Sequence, residues 1–127
     1  MVFFPEANLV HMGDLYFNGL YPVIDYGSGG HIDGMIAAVS EVLPRLDDKS
    51  RVIPGHGPIS DKAGLIVYRD LLATVAARMK KLMAEGKTLE EIQAAKPTAD
   101  YDEQWGKQFL KPAPWVEMVY MGLKRKH

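Results

Sequence analysis

Two short stretches hold the residue types with which this chain could do chemistry. The first is "RVIPGHGPIS", residues 51–60, where a short apolar run ends in His56 set between glycines and prolines. Glycines permit backbone angles and close approaches that other residues resist, so this loop lifts its imidazole off a strand end. A histidine held this way suits a metal ligand or a general base. It equally suits a tight turn in which the ring bonds local backbone. The second stretch is "LVHMGDLYF", residues 9–17, where Asp14 follows a glycine within an apolar strand pattern. A buried carboxylate is costly unless it is paired or metal-bound. Asp14 is then either a Gly-Asp turn bonding its own backbone or a carboxylate ligand for a hard or borderline cation.

Periodicity gives the elements that must position these two groups. Val2-Phe3-Phe4 and Leu9-Val10 are β-prone runs split by Pro5-Glu6-Ala7-Asn8, as in a hairpin or strand pair. Leu15-Tyr16-Phe17 extends the second run until Asn18-Gly19 ends it. "DYGSGGHIDG" is glycine-rich and expected to be flexible. A helix begins near His31, with Ile32, Met35, Ile36, Val39, Val42, Leu43 and Leu46 recurring every three or four residues. Asp47-Asp48-Lys49-Ser50 is a polar turn, and Arg51 to Pro54 a short strand. After Ser60, the residues Leu65, Tyr68, Leu72, Val75, Met79 and Leu82 form one stripe on a long helix, which Gly86 closes. Thr88-Leu89-Glu90-Glu91 has capping-box spacing and predicts a short new helix. "AKPTADYDEQWGKQFLKPAP" is expected to be an irregular connector. Pro114 suits the first turn of a last helix carrying Val116, Val119, Tyr120 and Leu123. The pattern predicts an α/β fold, a small sheet covered by helices on one face, with a helical C-terminal tail. Residues 1–127 form a single domain, with a strand/helix/strand core over 1–60 and a mostly helical part over 61–127.

If the two apolar strands are parallel neighbours, Asp14 and His56 emerge on the same sheet edge. "HMGDLYFN", the intervening helix and "RVIPGHGPISD" together resemble the C-terminal half of a metallo-β-lactamase-fold metallohydrolase. The tail with "AKPTADYDEQWG" is similar to a subgroup of zinc-hydrolase-like proteins in that superfamily. The resemblance implies half of an αββα sandwich and a zinc cofactor. It implies that Asp14, in its Gly-Asp context, bridges two metal ions, and that His56, in Pro-Gly-His-Gly, binds the second. In complete members the metals lower the pKa of a bound water and polarise a carbonyl or phosphoryl group. Their substrates include β-lactams, thioesters and phosphodiesters, and nothing in this sequence selects among them.

The family's main metal motif, His-x-His-x-Asp-His, is absent, as is the further histidine that normally precedes Gly-Asp. The histidines here are His11, His31, His56 and His127. His11 lies three residues before Asp14, hence on the opposite face of a regular strand, and is expected to be packed or hydrogen-bonded. His31 is expected to cap a helix or sit at the surface, with pocket lining as the alternative. Glu6 and Asp25 are expected in turns, and His127 is terminal. Zinc sites take three or four protein ligands, so Asp14 and His56 alone are expected to bind zinc weakly or not at all. The resemblance thus implies a partial metallohydrolase domain contributing second-metal ligands, not active as an isolated chain. The alternative is a non-catalytic α/β domain that self-associates or pairs with a partner half. A lone half would expose an apolar sheet face, expected at Phe3, Val10 and Ile53, which predicts a homodimer or a separate N-terminal half-domain as partner.

Composition narrows the remaining classes. At 127 residues, with 47% hydrophobic and 24% charged residues, the chain is of single-domain size and ordinary globular make-up. A net charge of −1 gives no argument for nucleic acid, and Lys124-Arg125-Lys126 reads as a solvated helix end. The absence of cysteine excludes disulfides, thiolate zinc sites and thiol nucleophiles. No apolar run has bilayer-crossing length, and "MVFFPEANLV" lacks the features of a signal peptide. As written, the chain is expected to be cytoplasmic, unless it was cut from a longer precursor.

Overall fold

A proline and a left-handed asparagine turn the chain back on itself at its start. Pro5–Ala7 form one 3-10 turn, which Asn8 ends at φ +50°, its N–H donating to the Pro5 carbonyl at 3.1 Å. The turn joins β1 (Val2–Phe4) to β2 (Leu9–Phe17) as an antiparallel hairpin in the register Phe3↔Val10. The computed structural model describes residues 2–24, 27, 30–107 and 110–126, with 125 and 126 described by backbone alone. Asp25, His127 and part of the glycine-rich segment lie outside the described residues.

β2 pairs in parallel with β3 (Arg51–His56), and α1 (Ile32–Val42) makes the crossover. The sheet order is β1-β2-β3, so β2 is central. Val10, Met12 and Tyr16 of β2 and Val52 of β3 are buried against α1 and α2 (Lys62–Ala84). The helices contribute Ile32, Val39 and Val42 from α1 and Leu65, Tyr68, Leu72, Val75 and Met79 from α2. Each fully buried aliphatic side chain stabilises the fold by about 1.5–3 kcal/mol. The fold is a small mixed sheet with helices on one face, as the sequence pattern predicts.

The side of the sheet expected to be exposed is corrected. Val10 is fully buried against the helices, and Phe3, on the same face, is half-buried beneath the Arg45 guanidinium at 5.2 Å. The outward face carries Ile53, as expected, but with Val2, Phe4 and Leu9 in place of Phe3 and Val10, and with His11 and Arg51 among them. Alternation groups residues into two faces but does not say which face meets the helices.

The apolar stripe of the first helix runs on past its end. Pro44 cannot donate within the helix, so the chain tightens into a 3-10 turn at Leu43–Arg45, keeping Leu43 and Leu46 buried. The following turn is tied to the hairpin: Asn8 Nδ2 donates to Asp47 Oδ1 at 2.9 Å, and Ser50 Oγ donates to Asn8 Oδ1 at 2.7 Å. Asp61 caps α2 by accepting the Gly64 N–H at 2.8 Å. The capping box forms as read: Thr88 N–H donates to Glu91 Oε1 at 3.0 Å, and Glu91 N–H to Thr88 Oγ1 at 3.2 Å, opening α3 (Leu89–Ala95).

The connector is not wholly irregular. It contains one helical turn, α4 (Asp102–Trp105), too short for periodicity to reveal and fixed by tertiary contacts. Asp102 Oδ1 accepts from Tyr21 Oη at 2.7 Å and Thr98 Oγ1 at 2.6 Å, and Trp105 is buried. α5 (Pro112–Lys126) starts at a proline, with Pro114 inside its first turn. Its Trp115 stacks on Tyr21 at 4.2 Å and donates Nε1–H to the Pro22 carbonyl at 2.8 Å, fastening the segment after β2 to the helices. No helix among the described residues is long and apolar enough to cross a membrane.

Candidate functional site

The site lies where β2 and β3 end side by side. The register along the pair is irregular: His11 faces Ile53, Gly13 faces Pro54 and Phe17 faces His56, so β2 carries extra residues as bulges. Gly13 takes φ +57°, a left-handed angle that favours glycine. Without the bulge, the alternation of Val10 and Met12 would carry Asp14 inward toward the helices. The bulge turns it out, leaving its side chain 84% exposed. His11 supports this kink, since its Nδ1 accepts the Gly13 N–H at 3.0 Å. His11 is therefore hydrogen-bonded, one of the two roles expected of it.

His56 is placed by backbone on both sides. Its carbonyl accepts the Asn18 N–H at 2.9 Å, and Asn18 Nδ2 donates to the Pro58 carbonyl at 2.9 Å. Beyond it, Val52 and Ser60 exchange backbone hydrogen bonds of 2.9 and 2.8 Å, which closes the loop. A Cβ on Gly55 would stand 2.6 Å from the Gly13 carbonyl oxygen and 2.7 Å from Asp14 Oδ1. That close approach is what the glycine before His56 provides. The Phe17 ring stacks on the imidazole at 4.8 Å and 16°, which fixes the plane of the ring.

The result is a carboxylate and an imidazole converging on one edge. His56 Nε2 lies 3.6 Å from Asp14 Oδ1, and the His56 side chain is 58% exposed. That distance is too long for a direct hydrogen bond. It is close to the roughly 3.4 Å that separates two ligands about 2.1 Å from a tetrahedral zinc ion. The donor set is nonetheless short: among the described residues, no group of three or more His, Cys, Asp or Glu is placed to hold a metal. The pair fits a metal by type and spacing, and it does not complete a zinc site.

Beside the pair, an open cleft of about 850 Å³ runs between β2 and α1, lined by Asp14, Leu15, Phe17, Ile24, His31 and Met35 among others. His31 fills both roles weighed for it. It is the N-cap of α1, with Nδ1 accepting the Gly34 N–H at 3.0 Å, and it lines the cleft. Glu6 sits exposed in the hairpin turn. Under the site, burial pushes the Tyr16 phenol above its ordinary range, although Ser60 Oγ bonds it at 2.9 Å. Burial likewise raises Tyr68, whose hydroxyl is enclosed without a hydrogen-bond partner of good geometry, the Phe17 backbone being beside it. Sequence reasoning missed the Phe17–His56 stack, because the bulges that bring the two rings into register leave no sequence signal.

No family model matches this chain, and no curated protein matches it.

Proposed function

We propose that this chain is a partial metallohydrolase domain of the metallo-β-lactamase fold, in which Asp14 and His56 serve as ligands of the second metal, zinc by the resemblance. The observation that supports this reading is the convergence of the two groups. Parallel pairing of β2 and β3, with the Gly13 bulge and the Gly55 approach, leaves them 3.6 Å apart and open to solvent. Both side chains are accessible to an ion from solvent. In this reading the remaining ligands come from residues other than those described here, and the chain alone is not a working hydrolase. The complementary N-terminal half packs sheet to sheet on the outward face, where Val2 is 53% and Phe4 48% exposed. The same exposed face favours the alternative, a non-catalytic α/β domain that self-associates.

Zinc titration of the purified chain, followed by NMR at the His56 ring, tests the first reading. Weak binding that shifts His56 and vanishes in both Asp14→Ala and His56→Ala is the expected result. Zinc that moves His11 or His31 while leaving His56 unmoved would overturn it. Sedimentation separates the alternative: a concentration-dependent dimer that Phe4→Glu dissolves favours self-association, and a monomer at high micromolar concentration counts against it.

A further inference from the structure

The cleft beside Asp14 has a chemical character that bears on what it takes in. Its walls include Leu15, Phe17, Ile24 and Met35, and its polar groups include the Asp14 carboxylate and the His31 imidazole. Because His31 Nδ1 accepts the Gly34 N–H, the neutral ring carries its proton on Nε2, as a hydrogen-bond donor. All the described lining residues fall within the first 44 residues, a stretch of sequence with no Lys or Arg. Two described cations on neighbouring helices are engaged elsewhere. Lys80 Nζ pairs with Asp33 at 2.8 Å, and Lys124 Nζ lies over the Tyr120 ring at 5.7 Å.

We propose that this cleft binds the uncharged, apolar part of a carbonyl-bearing substrate, with His31 Nε2–H as donor to its oxygen, and that it disfavours anionic compounds such as phosphate esters. The inference rests on the reading of Asp14 and His56 as the edge of a hydrolytic centre, and it narrows that reading to one substrate class. Apolar walls favour apolar ligands through burial. An anion in the same place meets a carboxylate with no compensating cation among the described lining residues.

The test compares two probes of similar size on the metal-free chain: acetanilide, uncharged, and phenyl phosphate, anionic. Binding is followed by NMR at the Met35 methyl and the His31 ring. Acetanilide is expected to bind with a Kd of about millimolar, as suits a fragment of its size, and phenyl phosphate at least about tenfold more weakly. Asp14→Asn is expected to narrow that gap, and Val23→Lys, a substitution at a partly exposed lining position, to reverse it. Phenyl phosphate binding as tightly as acetanilide to the unaltered chain would overturn the inference. So would a failure of acetanilide to move Met35 and His31. Because zinc is left out, this result and the zinc titration can fail separately, which keeps the substrate class and the metal reading distinguishable.

Discussion

Two regions of the molecule treat their polar groups in opposite ways. Around α4, Asp102, Tyr21, Thr98, Arg78 and Asp100 find partners within the fold. Asp102 receives two hydroxyls, and Arg78 grips Asp100 through two nitrogens at 2.6 and 3.0 Å while also donating to the Pro97 carbonyl. Burial, reinforced by the Asp102 hydrogen bond, drives the Tyr21 phenol far above its ordinary range. At the ends of β2 and β3, by contrast, Asp14 and His56 face each other in open solvent at a distance too long for a bond. Buried polar groups that are mutually satisfied hold a fold together. Groups converging at an exposed strand end contribute little to it.

The contrast breaks or sharpens under substitution. The largest effect is expected for Trp115→Ala, which removes a fully buried ring, its stack on Tyr21 and its bond to the Pro22 carbonyl. A loss of about 3–5 kcal/mol should appear in the urea midpoint. Next comes the pH dependence of the Arg78–Asp100 pair. Hydrogen bonds from Arg78 hold the Asp100 carboxyl below its ordinary value, so the folded state binds fewer protons there than the unfolded chain. The stabilisation is therefore complete above the ordinary carboxylate pKa and is lost as pH falls through the lower, folded value. Solvent screens this exposed pair, which limits its worth to about 0.5 kcal/mol. Asp100→Asn should lower the urea midpoint by that much at neutral pH and leave it unchanged in acid. The smallest effect belongs to the candidate site. Asp14→Ala and His56→Ala should each shift stability by less than about 0.5 kcal/mol. If either cost as much as Trp115→Ala, that residue would be a structural one and the contrast between the two regions would fail.

Much of this was legible in the sequence, and the gaps have physical causes. The hairpin and the capping box follow from local patterns that tertiary structure did not override, and the parallel pairing on which the meeting of Asp14 with His56 depends is present. The bulge was not legible: strict alternation sends Asp14 inward, and one left-handed glycine, which sequence alone does not locate, reverses that. Nor was α4, whose four residues complete no apolar period and are held by Tyr21, far away in the chain. Phe3 and Val10 were assigned to the wrong side because a three-stranded sheet shows its helix-facing side only once the helices are placed. His31 was read as cap or pocket residue; a ring with two nitrogens can be both.

The absent side chain at Gly55 has a consequence for affinity. Because main chain passes against main chain there, folding itself sets the spacing of the carboxylate and the imidazole, and neither side chain has to be drawn in from afar. Whatever ion or proton-bearing group meets one of them finds the other already at hand, at an effective concentration well above millimolar. On the proposed metal-ligand reading, the two residues act as one chelating arm whose backbone spacing is set when the strands pair.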